Sequence, residues 1–141
     1  MSTRATILFK RDGESLVKLY HHWDGYISGL GHHIAEWLCQ KRIGNGIGLD
    51  CDENFANGVG CLVAQFIRDF KDGVGNLYVE SLDVSNEDYN YVIDISTDYD
   101  ETHNCNDVTK IMVTNWDDDT PIFEGTPKEL LNFNEDDEEE N

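Results

Sequence analysis

The densest concentration of chemistry-bearing side chains lies in one stretch, Leu19-Tyr20-His21-His22-Trp23-Asp24-Gly25-Tyr26. His22 and Asp24 fit a proton-relay pair, because a carboxylate that accepts from an imidazole raises its basicity. With Arg4 for a phosphate and the Trp23 and Tyr26 rings for a base, the same residues would clamp a nucleotide. The competing reading is structural. A strand end packs its aromatics on the core, and Asp24-Gly25 makes a turn.

Other clusters give weaker signals. His21, His22, His32 and His33 raise metal binding, with Asp24 as a further ligand. Adjacent histidines point to opposite faces of a strand, or about 100° apart on a helix, and the H-x3-H helical spacing is absent. No metal and no cofactor is expected. Asp98, Asp100 and Glu101, and separately Asp117, Asp118 and Asp119, lack the D-x-[DN]-x-[DN]-G frame of a calcium loop. Gly44-Asn45-Gly46-Ile47-Gly48 follows a helical stretch and has no lysine where a phosphate loop needs one. No G-x-S-x-G occurs. No catalytic residue is assigned.

Charge is the stronger signal. The formal net charge is −19, and it is unevenly placed. Residues 1–43 carry six basic against four acidic residues; residues 44–141 carry four basic against 25 acidic. Such a field repels nucleic acid and anionic membranes and attracts basic protein surfaces. Hydrophobic residues make up 39% of the chain, too many for a disordered acidic polymer. No run of about 18 apolar residues is present to span a membrane. The start, Met1-Ser2-Thr3-Arg4-Ala5-Thr6, has no apolar h-region, so a cytoplasmic protein is expected. Cysteines at 39, 51, 61 and 105 form no C-x-x-C pair and read as reduced, half-buried thiols.

The elements that must position these residues follow from periodicity. Alternation over 3–10 and 16–22, with Asp12-Gly13 between, predicts a β-hairpin. Leu30, Ile34, Trp37 and Leu38 predict a helix over 30–42. Phe55, Val59, Leu62, Phe66 and Phe70 predict another over 53–71; Gly58 and Gly60 weaken its start or delay it. Strands are expected at 76–82, 89–96, 108–116 and 121–124, with a polar loop at 97–107. Thr126-Pro127-Lys128-Glu129 opens a short helix over 127–133. The order is ββααββββα. It predicts one α+β domain over 1–133 with a mostly antiparallel sheet and two helices packed on one face. Residues 134–141 read as a disordered acidic tail. Strand 108–116, if exposed at an edge, would be a route to a homodimer.

The pattern Thr3-Arg4-Ala5-Thr6-Ile7, then His22-Trp23-Asp24-Gly25-Tyr26, then Gly125-Thr126-Pro127-Lys128-Glu129-Leu130-Leu131 resembles a group of small proteins of bacteriophages and bacterial mobile elements. The resemblance covers the N-terminal quarter and the C-terminal element; the middle, 43–107, does not share it. It implies origin in a mobile element. The matching positions Arg4, His22, Trp23, Asp24 and Tyr26 mark either a shared site or a shared fold nucleus.

Two function classes emerge. The first is an acidic interaction protein that inhibits a basic host protein of defence or nucleic-acid handling by imitating DNA charge. Its partner surface would include Asp98, Asp100, Glu101, Asp117, Asp118, Asp119, Glu135, Asp136 and Asp137. The second is a small-molecule binder, such as a sponge for a nucleotide signal, or a small enzyme, built on Arg4, His22, Trp23, Asp24 and Tyr26. The charge asymmetry favours the first.

Overall fold

Two residues with left-handed backbone, Asp12 (φ +50°) and Gly13 (φ +83°), turn the chain between strands β1 (Ala5–Arg11) and β2 (Glu14–His21). Positive φ at both central positions matches the right-handed twist of the strands, which is why Asp-Gly closes the hairpin. The computed structural model describes residues 2–48, 51–99, 101–116 and 120–135.

Seven further strands and helices follow the expected order, with short elements between them. A wide π-type turn at Ile27–Gly31 leads into α1 (His32–Cys39). Then come β3 (Arg42–Gly44), β4 (Phe55–Asn57), α2 (Gly58–Phe70), β5 (Leu77–Glu80) and β6 (Tyr89–Ile95). The chain closes with β7 (His103–Asn104), α3 (Cys105–Val108), β8 (Thr109–Asn115), β9 (Phe123–Gly125) and α4 (Pro127–Leu131). The fold is α+β. The main sheet has the order β5-β2-β1-β6-β8-β9, antiparallel throughout except for the parallel pair β1–β6. A small second sheet has the order β4-β3-β7.

Strand parity decides which face is buried. Ala5, Ile7 and Phe9 on β1, Leu19 on β2, Tyr91 and Ile93 on β6, and Ile111 and Val113 on β8 are fully buried on one face. The register sets Ile7 beside Leu19 and Tyr91, and Ile93 beside Ile111. Helices α1 and α2 cover this face. Phe66 of α2 stacks on Phe70 at 4.0 Å and meets Phe9 and Trp37 edge-on at 5.0 and 5.3 Å. On the opposite face the loop after β5 lies across the strands. Lys18 Nζ donates to the Val84 carbonyl, Thr6 Oγ1 to Asn90 Oδ1, and Asn90 Nδ2 to the Glu87 carbonyl. Buried polar groups are tolerated there because they are bonded.

Four expectations need correction. The helix expected over 30–42 ends at Cys39, because tertiary pairing takes the next residues: Arg42 N–H donates to the Asn54 carbonyl, and the Lys41 carbonyl accepts from Cys105 N–H. The helix expected over 53–71 starts at Gly58, whose φ of +87° admits a bend out of β4, and Phe55 belongs to that strand. The loop expected over 97–107 contains β7 and α3, the latter capped by Asn104 Oδ1 accepting from Asn106 N–H. Strand 108–116 is no edge. Its strand β8 is paired on both sides, and β5 and β9 hold the edges of that sheet, so it offers no free ladder for a homodimer. The short elements β3, β4, β7 and α3 interrupt the order ββααββββα.

At the C-terminal end α4 has the capping box its sequence announces. Glu129 N–H donates to Thr126 Oγ1, and Thr126 N–H donates to Glu129 Oε1 at 2.9 Å. Of the expected tail 134–141, residues 136–141 lie outside the described residues. Among the described residues no helix is long and apolar enough to cross a membrane.

The aromatic cluster gives the first prediction. Phe66→Ala lowers unfolding free energy by about 3–5 kcal/mol, since it empties a fully buried site with three ring neighbours. Val74→Ala, at a fully exposed site, stays within about 0.5 kcal/mol. Urea titration of both variants checks the contrast.

Candidate functional site

The parity that buries Leu19 also turns His21 inward, while Tyr20 and His22 face out. His21 therefore enters a cleft of about 590 Å³ between the end of β2, the turn before α1 and the end of α2. Trp23, Asp24, His33, Phe70 and Asp72 also line it. The interior side of the histidine pair carries the site. The signal was its spacing of two from Leu19.

The loop that frames the cleft is held by backbone contacts. Gly25 N–H donates to the Thr3 carbonyl, Leu30 N–H to the Asp24 carbonyl, and the buried Tyr91 hydroxyl to the Gly25 carbonyl at 2.7 Å. A Cβ at Gly25 would stand 2.8 Å from Ala5 Cβ and 3.0 Å from the Arg4 and Thr3 backbone. Only glycine fits. Asp24 itself has φ +56°, a conformation that Asp tolerates better than most residues. From the far side Asn76, a buried residue the motif analysis missed, joins the end of α2 to β2. Its Nδ2 donates to the Phe70 carbonyl, its Oδ1 accepts from Asp72 N–H, and its carbonyl accepts from His22 N–H.

The five residues singled out in the sequence are divided by this geometry. Trp23 and Asp24 line the cleft; Arg4, His22 and Tyr26 do not. The His22 ring pairs through Nδ1 with the Tyr20 hydroxyl at 2.8 Å and lies edge-on to Trp23. Tyr26 donates from its hydroxyl to Asp24 Oδ1 at 3.3 Å. Arg4 is exposed, with its N–H on Asp88 Oδ2. The histidines diverge further. His32 Nε2 meets the Phe133 carbonyl at 2.7 Å, and His33 lies against the Phe70 ring at 4.7 Å. Among the described residues no group of three or more His, Cys, Asp or Glu is placed to hold a metal ion.

Charges in the cleft are unevenly satisfied. Asp69 is held low in pKa, chiefly by its bonds from Arg68, and it also accepts from Trp37 Nε1. Lys71, which also borders the cleft, donates from Nζ to the Gly75 and Leu77 carbonyls and sits over the Tyr78 ring. Among the described residues Asp24 and Asp72 stand in no ion pair. His21 is 7% exposed and its Nδ1 has no hydrogen-bond partner among the described residues. Burial pushes its pKa down; a bond to the Trp23 backbone and the charge of Asp24 oppose this, and His33 and His22 add to it.

The proposed acidic surface is only partly described. Asp98 and Glu101 flank a concavity of about 270 Å³ with Tyr99 and His103. Glu135 accepts from the Tyr89 hydroxyl at 2.9 and 3.0 Å. Asp100, Asp117, Asp118, Asp119, Asp136 and Asp137 lie outside the described residues. All four cysteines are free thiols, Cys105 buried and the others half-buried, and burial raises the Cys105 pKa to about 12.

The depressed pKa of His21 sets a pH dependence. On acidification the unfolded chain takes up this proton first, near pH 6.5, while the folded ring stays neutral. The His21 contribution to stability therefore falls as pH drops below about 6.5 and levels off beneath the folded pKa. Relief of carboxylate repulsion acts in the opposite direction in both proteins. The readout is therefore the difference in slope between wild type and His21→Asn. Urea midpoints from pH 7.5 to 5 are expected to fall more, or rise less, in the wild type.

No family model, no curated protein and no solved structure matches this chain, so charge and geometry carry the reading of function.

Proposed function

We propose that this protein is an acidic interaction protein. It docks on the basic, nucleic-acid-binding surface of a host protein and blocks it by presenting carboxylates where phosphates would sit. One observation carries the reading: six of the chain's ten cations are engaged within the fold. Lys18, Lys41 and Lys71 donate to backbone carbonyls, and Arg42, Arg68 and Lys110 pair with Asp52, Asp69 and Glu124. Ten basic residues face 29 acidic ones, so most carboxylates keep their charge uncompensated. Duplex DNA carries one negative charge per about 1.7 Å of axis, and a groove built for it attracts a folded surface of like charge. The resemblance to bacteriophage and mobile-element proteins favours a bacterial defence or nucleic-acid-handling protein as target. Direct binding of nucleic acid is opposed by the same field.

The nucleotide-binding alternative on Arg4, His22, Trp23, Asp24 and Tyr26 has weaker support. Arg4 and His22 lie outside the cleft, and the cleft offers Asp24 and Asp72 to a phosphate.

The test is capture from a bacterial lysate on the immobilised full chain, followed by elution with rising salt or with duplex DNA. A nucleic-acid-binding protein released by both is expected, because both compete for the same charges. Replacing Asp98, Glu101, Asp117, Asp118 and Asp119 with their amides is expected to weaken that complex about fivefold or more. A partner that resists salt and DNA, or is indifferent to the five amides, overturns the reading.

A further inference from the structure

We propose that the cleft beside β2 is a socket for an arginine side chain of the basic partner, stacked on Trp23 and held by Asp24 and Asp72. This deepens the docking reading and rests on it for the identity of the arginine's owner. The chemistry of the socket comes from the cleft alone.

Trp23 is 42% exposed although it lines a cleft, so one face of a large ring is free to be covered. Asp24 and Asp72 stand there without an ion pair among the described residues. Helix α2 ends at Phe70, and Asp69, Phe70, Lys71 and Asp72 border the cleft, so the negative end of its dipole lies beside it. The one lysine nearby is committed to two carbonyls and a tyrosine ring. Every one of these features favours a cation that donates hydrogen bonds and tolerates an aromatic face.

Arginine answers all of them. Its planar guanidinium stacks on indole, carries five donors and bridges carboxylates, and it sheds water more readily than an ammonium. Lysine offers a point charge with a tighter hydration shell. A phosphate would meet two carboxylates. A metal ion lacks a ligand cluster among the described residues. The volume, about 590 Å³, admits the side chain with adjoining backbone, as an interface anchor requires.

The experiment is an NMR titration of the full chain with tri-arginine and, separately, tri-lysine, read at the Trp23 indole N–H. Saturable shifts at Trp23 are expected with tri-arginine, and at least several-fold weaker binding with tri-lysine. The double variant Asp24→Asn/Asp72→Asn is expected to lose about tenfold, and Asn keeps the left-handed backbone at position 24 accessible. The control Glu14→Gln/Glu53→Gln removes equal charge at exposed positions outside the cleft and is expected to leave tri-arginine binding within about twofold. Equal losses in both doubles would mean general attraction by the field and overturn the socket. So would shifts that bypass Trp23, or undiminished binding in the cleft variant. If the cleft variant captures the lysate partner as well as wild type does, the socket fails and acidic docking survives. If tri-arginine binds as expected and no basic protein is captured, docking fails and the socket stands.

Discussion

The parallel pairing of β1 with β6 is the constraint on which the rest depends. It joins segments more than eighty residues apart and sets Ile7 beside Tyr91 and Phe9 beside Ile93 at the centre of the main sheet. A parallel pair cannot be closed by a tight turn, so the chain between must travel away and return. That return path includes β2, α1, β3, β4, α2 and the edge strand β5. It lays both long helices over the apolar face. The same pairing brings the Tyr91 hydroxyl under the Gly25 carbonyl, so the loop that frames the cleft is fixed by the central strand.

Local chemistry in the sequence was enough to read the elements whose stability is local. Asp12-Gly13 has one compatible hairpin turn, Thr126-Pro127-Lys128-Glu129 closes its own capping box, and the apolar stripe of α2 follows a single period. The α+β class and the mostly antiparallel sheet follow from these. Elements of two to four residues were illegible because long-range partners make them. Ile43 has a helical neighbourhood in sequence and becomes a strand residue only when β4 and β7 arrive on either side. The inner position of β8 was hidden for a related reason: alternation reveals a strand and its buried face, and says nothing of how many neighbours it has. Within the candidate site, alternation from Leu19 already assigned His21 to the core side.

A net charge of −19 works against a folded state through self-repulsion. The fold meets that cost with burial, and several of its lysines also serve as structural ties. Lys41 is an instance. It is buried, bonded to the Glu53 carbonyl and placed over the Trp37 ring, and its surroundings push its pKa down, chiefly by burial. Lysines used in this way fasten loops and helix ends. They keep their charge, so the outer field is that of the net −19, which is the condition for attracting a basic surface across several ångströms of solvent.

The HWDGY loop shows how a fold nucleus and a binding site can occupy the same residues. Gly25 is spent entirely on packing, since no side chain fits there. At Asp24 the backbone carbonyl receives Leu30 N–H and anchors the turn, while the residue lines the cleft and its carboxylate accepts from the Tyr26 hydroxyl. Trp23 divides likewise between an edge contact with His22 and an uncovered face. A purely structural loop would be expected to bury that ring, because burial gains free energy. A loop devoted to ligand alone would not need the contacts from Thr3, Leu30 and Tyr91. Backbone groups fix the position of the loop, and side chains left over from that task face the cleft. This is the division of labour that pre-organises a recognition site without adding a separate element to carry it.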